Sequence, residues 1–259
     1  MLNYANAELY KVFRRKYLYV TFGTICALAA LLCAGFIFVN SGGAHVEFSH
    51  GAQSVLMVLS VGLYFAVMVC DMVFSEQYKS NTLKNEVSFG IPRARIYLGK
   101  LAVEAFIGVV MSVLVIGFYV GMCYVTLYAS SPEETEKTLI IIGYCVLASI
   151  PQWLAALALT NMFFFLVRGN TLAAFLAVGI IAVTPVALEI ASLMLWNAAP
   201  HVSEVLIAIR DHLPTQIISK AMSVVGDWAF MGKSWLLGGA WVVVSSAIGL
   251  IGFQKREIV

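Results

Sequence analysis

Residues 17–39 read YLYVTFGTICALAALLCAGFIFV, twenty-three consecutive positions without a charged side chain. At about 1.5 Å of rise per residue, a helix of that length crosses a hydrocarbon core roughly 30 Å thick. The run exceeds the roughly 7–15 apolar residues of a signal-peptide core, so it reads as a retained span. Five further runs of the same kind follow, at 53–75, 97–128, 139–166, 171–197 and 234–253. All six are continuous rather than alternating, which predicts helices and excludes a barrel. The third is longer than a bilayer requires and must tilt, bend or project. The fold class is therefore an all-α membrane protein with six transmembrane helices in one domain, residues 1–259.

Composition points the same way. The chain is 61% hydrophobic and 12% charged, with a mean hydropathy of +0.90, whereas soluble domains are about a quarter charged. A net charge of +2 is too small to imply nucleic acid as a partner. The placement of charge says more than its sum. Lys and Arg number twelve on the side that holds both termini, residues 76–100 and Arg168, against four on the other side. Positive charge stays in the cytoplasm, which predicts cytoplasmic termini. The five cysteines all fall in apolar runs and read as buried free thiols.

Outside the spans, residues 1–16 form an amphipathic interfacial helix resting on membrane lipid. Leu2, Ala5, Leu9, Val12 and Phe13 share one face, and Glu8, Lys11, Arg14 and Arg15 share the other. The external segment 198–233 predicts two short amphipathic helices separated by Pro214, either lying on or dipping into the outer leaflet or forming a cap on the bundle.

Between spans two and three lies the longest polar stretch, FSEQYKSNTLKNEVSFGIPRARIYLGK, residues 74–100. Asn81 or Thr82 can cap a helix over about 81–89, Leu83 and Val87 share a face, and Gly90 with Pro92 ends it. Physics alone leaves two roles open, a socket-filling knob for a cytoplasmic partner or a loop tied up with headgroups. The pattern Phe74, Glu76 and NTLKNEVSFGIPRARIYLGK resembles the cytoplasmic loop of ABC-2 type transporter permeases. The topology around it resembles that family too: interfacial helix, six spans, long external segment before the last. Asn81 departs from the family's usual Gly, although Asn tolerates left-handed backbone.

The resemblance implies a permease subunit of a bacterial ABC exporter in the plasma membrane. It implies two copies of a separate ATPase subunit and a second permease, identical or related. Residues 76–96 become the coupling loop. Glu76, Asn81, Thr82, Leu83, Lys84 and Glu86 are the coupling candidates, flanked by the basic Arg93 and Lys100. Export of a peptide, drug or other amphipathic substrate is the family's implication. No cofactor is implied on this chain, ATP and magnesium belonging to the ATPase. The chain's own Gly232-Lys233-Ser234 is no phosphate loop, because Asp227 occupies the position of its first glycine. No catalytic constellation stands out, and the spacing of His45, His50, His201 and His212 matches no metal signature.

Three acids in or near lipid each need a reason, since an acid at a bilayer centre costs roughly 2.5–3.5 kcal/mol. Glu104 lies one turn from Lys100 and can pair with it, and Asp71 can reach Arg95 or Lys100. Glu189, beyond Pro185, has no basic neighbour in sequence and can face a partner, the path or headgroups. Two rivals stay open: a secondary transporter without an ATPase, and a non-transporting membrane scaffold or sensor.

Overall fold

The computed structural model describes residues 2–74, 82–128 and 131–256, and among these every regular element is helical. The helices are α1 (Leu2–Phe13), α2 (Lys16–Ser41), α3 (Phe48–Gln53), α4 (Val55–Val58), α5 (Val61–Phe74) and α6 (Thr82–Ser88). They continue with α7 (Arg93–Thr126), α8 (Pro132–Leu166), α9 (Asn170–Leu195), α10 (Pro200–Asp211), α11 (Pro214–Ala221) and α12 (Trp228–Lys255). Five of them (α2, α7, α8, α9 and α12) are long and apolar enough to cross a membrane, and α3–α5 make a sixth if counted as one span.

That sixth span departs from the sequence expectation of one helix over 53–75. Its two halves meet at an angle of 59° around Leu59–Ser60. The cause is Trp153 of α8. Its ring lies so close to Gly62 that a Cβ there would sit 2.4 Å from Nε1. The same Nε1–H donates to the Leu59 carbonyl at 3.0 Å. At the break the Leu59 carbonyl accepts from the Gly62 amide at 3.1 Å, and the indole adds a second donor to it in a low-dielectric interior.

α8 is the axle of the bundle. Over half of its apolar window is buried, against 11% for α2 and 17% for α9. It packs on α12, α5, α11 and α9. Gly238 lets α12 come up against the Pro151 backbone, where a Cβ would lie 2.6 Å from the carbonyl oxygen. Small residues permit such approaches between membrane helices, where dispersion replaces the hydrophobic drive. Nearby, Gln152 Nε2 donates to the Ser234 carbonyl at 2.8 Å, and Ser234 Oγ donates to the Ala148 carbonyl at 2.7 Å. At one end, Phe74, Tyr97, Phe164, Phe165 and Phe253 stack with centroids 4.6–5.2 Å apart, locking the ends of α5, α7, α8 and α12 together. By contrast, α2 turns Leu28, Leu31 and Phe38 outward, as a lipid-facing helix does.

The two short helices predicted in 198–233 are α10 and α11. They dip inward as a hairpin rather than capping the bundle. Their turn, Leu213–Pro214, shares a small cavity with Ala155 and Leu159 of α8, Pro185 of α9 and Trp241 of α12, midway along the spans. Leu213, Ile217, Ile218 and Ala221 are buried there, which supplies the apolar contact that holds the hairpin in. All five cysteines are free, four of them buried.

Candidate functional site

Among the described residues, the polar residues singled out in the sequence converge on the end of the bundle that holds α1 and α6, Glu189 excepted. The helix expected over 81–89 is α6. Gly90 ends it with φ at +80°, and the Ile91 amide returns to the Glu86 carbonyl at 3.2 Å. Left-handed backbone at that point favours glycine. Leu83 is buried and Val87 packs against the core, while Lys84, Asn85, Ser88 and Phe89 face outward. Phe89 is 86% exposed. Glu76 and Asn81 lie outside the described residues.

α1 holds α6 in place. The Tyr4 hydroxyl donates to Glu86 at 2.9 Å, and Lys11 Nζ reaches the other Glu86 oxygen at 3.5 Å. Lys11 also contacts Glu8 at 2.5 Å, and Glu8 in turn meets Lys100 of α7 at 2.9 Å. Tyr4 can lie this low because Gly99 presents bare backbone, where a Cβ would fall 2.5 Å from the ring. Sequence periodicity put Glu8 on the polar face of α1 and Phe13 on the apolar face. The structure reverses both, with Glu8 at 2% exposure and Phe13 at 47%. The attraction of a buried ammonium outweighs the helical pattern.

The electrostatics follow from this geometry. Burial pushes the Glu8 carboxyl up, yet Lys100 and Lys11 together outweigh it and hold Glu8 below the ordinary carboxylate value. Burial also raises the Tyr4 phenol, and Glu8 and Glu86 raise it further, so Tyr4 remains a hydrogen-bond donor. For Lys11, burial works against the charge, but Glu8 and Glu86 keep it above its usual value.

Arginines clamp helix ends nearby. Arg93, at the start of α7, donates to the carbonyls of Phe253, Gln254 and Arg256 at 2.7–2.8 Å. Arg256 reaches the Phe165 carbonyl at the end of α8, and Arg15 reaches the Met72 carbonyl in α5. Each guanidinium meets orphan carbonyls where the helix dipole is negative. Motion of α6 is thereby tied to α7 through the backbone, to α1 through Glu86, and to α12 and α8 through Arg93 and Arg256.

The acids find partners other than those the spacing suggested. Lys100 pairs with Glu8 and not with Glu104, because α1 lies across that side of α7. Asp71 accepts from Asn170 Nδ2 at 3.1 Å; Arg95 points outward and Lys100 is taken. Glu189 meets Arg210 of α10 at 3.7 Å, a partly exposed pair that is far from the α1–α6 end. Sequence reasoning missed Tyr4, Glu8 and Arg15 as members of the site. The only available signal was an acid among the cations of α1.

A family model described as ABC-2 family transporter protein matches residues 5–184, which is 180 of the 259 positions and runs from α1 into α9. No curated protein matches the chain.

Proposed function

The chain belongs to the ABC-2 family of transporter proteins, and on that premise we propose that it is a permease subunit driven by a separate ATP-hydrolysing subunit. The α1–α6 end faces the cytoplasm of a bacterial plasma membrane, with both termini on that side. The outward face of α6 and of the residue after it, formed by Lys84, Asn85, Ser88 and Phe89, docks in the ATPase. Two ATPase copies drive two permeases, identical or related, whose apposed spans enclose the path. Export of a peptide, drug or other amphipathic substrate fits an apolar bundle of this kind. ATP and its magnesium are held by the partner.

One observation carries the reading: a seven-residue helix is gripped from inside by Tyr4 and Lys11 while it presents an exposed Phe89 outward. An exposed aromatic on a short, braced helix is a docking knob, since large aromatics dominate contact energetics when a partner buries them. Three of the coupling candidates take new roles in this arrangement. Leu83 seats α6 on the bundle, Glu86 links it to α1, and Lys100 anchors α1 to α7. A rigid α6 passes displacement into the spans, which a floppy loop would absorb.

The test is copurification of the ATPase with the full chain from its native membrane, comparing wild type, F89E and K84E. Loss of the ATPase in F89E with the permease still monodisperse supports docking through α6. Equal recovery in all three removes it.

A further inference from the structure

The acid that the coupling apparatus leaves unused is Glu104. It is fully buried on α7, one turn beyond Lys100. Neither of its carboxyl oxygens has a hydrogen-bond partner. Around it gather other sealed polar groups: the Tyr97 hydroxyl, both amide atoms of Asn161 from α8, and the Ser246 hydroxyl from α12, all equally unpartnered. The Tyr97 hydroxyl faces Asn161 and Ser246, and the Cys70 thiol of α5 lies beside Glu104.

Charge bookkeeping isolates this residue. Lys100 is committed to Glu8, and Lys11 is shared between Glu8 and Glu86. Among the described residues, no cation forms an ion pair with Glu104. A carboxylate in an apolar interior without a counter-charge costs far more than a domain's stability allows, so such a group neutralises.

We propose that Glu104 is a proton-binding site whose occupancy is set by the partner that Lys100 chooses. While Glu8 holds Lys100, Glu104 carries one proton as a neutral carboxylic acid. When α1 is pulled from α7, Lys100 turns to Glu104, which is within its reach at i and i+4. The Glu104 O–H bond then breaks, the proton leaves to water at the α1–α6 end, and the carboxylate pairs with the ammonium, which keeps its own protons. Glu8 keeps Lys11. Among the described residues, the titratable or charged groups that face the site are Cys70 from α5, Glu8 from α1, and Tyr97 and Lys100 from α7 itself. Asn161 and Ser246, the contributions of α8 and α12, do not titrate. A displacement of α1 would thus be coupled to the release of one proton. This holds whatever subunit moves α1, so it stands or fails apart from the docking of an ATPase on α6.

Infrared difference spectroscopy of the full chain in lipid nanodiscs at neutral pH reads the proton directly, through the carbonyl stretch of a protonated carboxyl. The band is present in wild type, lost in E104Q, kept in K100M and lost in E8A, where Lys100 is free to turn. E8Q, which withdraws the charge but keeps an amide near Lys100, supplies the same arm if E8A fails to fold. A spectrum in which wild type and E104Q do not differ overturns the proton site. A band undiminished in E8A and E8Q overturns its control by Lys100.

Discussion

Breaking the Glu8–Lys100 pair from its two ends should have unequal consequences. Both side chains are sealed, at 2% and 0% exposure, and they meet at 2.9 Å. Removing one member of a buried pair costs roughly 3–5 kcal/mol, because the remaining charge stays desolvated. E8A leaves the ammonium of Lys100 without its anion. K100M leaves Glu8 with Lys11, whose side chain is about half exposed, so the surviving charge still has a partner and contact with water. The expected cost of E8A is about 3 kcal/mol, the lower part of that range, since Glu104 offers a second anion one turn along α7. K100M should cost about 1–2 kcal/mol less than E8A, the difference between a buried charge that must turn to a new partner and one that keeps its own. Reversible unfolding of the purified chain in mixed micelles measures both. If K100M were as damaging as E8A, or more so, Glu8 would not be the residue whose charge Lys100 depends on.

The remaining expectations concern pH and packing. The folded state holds the Glu8 carboxyl below its ordinary value, so its contribution is complete above the unfolded carboxylate value. It is lost as pH falls through the folded one, and E8Q should flatten that acid limb of a stability–pH profile. G238A places a Cβ 2.6 Å from the Pro151 backbone, which cannot rotate away, so α12 must shift at a cost of about 1–3 kcal/mol seen as a lowered unfolding midpoint. W153F withdraws one of the two donors to the Leu59 carbonyl, leaving the Gly62 amide, which should cost about 1 kcal/mol and speed amide exchange around the break between α4 and α5.

Much of this architecture was legible in the residues, and the gaps have physical reasons. Span existence is a matter of local hydropathy, so the helices α2, α7, α8, α9 and α12 match the runs at 17–39, 97–128, 139–166, 171–197 and 234–253 to within a few residues, apart from extensions at polar ends. The extent of α6 was legible because Gly90 and Pro92 punctuate it. The break near Leu59 was not, because Ser60 and Gly62 loosen a helix there without being enough to stop one. It is imposed by an indole that sits ninety-four positions later. Pro214 marked a turn between α10 and α11, yet whether that hairpin lies flat or enters the bundle depends on the space left by α8, α9 and α12. The pairing at the candidate site failed for a related reason. Spacing offered Glu104 to Lys100, but Glu8 wins from ninety-two positions away, because α1 brings a carboxylate with no need to bend α7. Long-range competition of that kind leaves no periodic trace.

The claim on which the functional account turns is that α6 is the surface an energy-supplying subunit grips. A cryo-electron microscopy structure of the chain copurified with its ATPase tests it most directly. The account predicts Phe89 and Lys84 buried in that subunit, with Tyr4 and Lys11 still bonded to Glu86 behind them. An ATPase seated elsewhere, with the outward face of α6 bare, would contradict it.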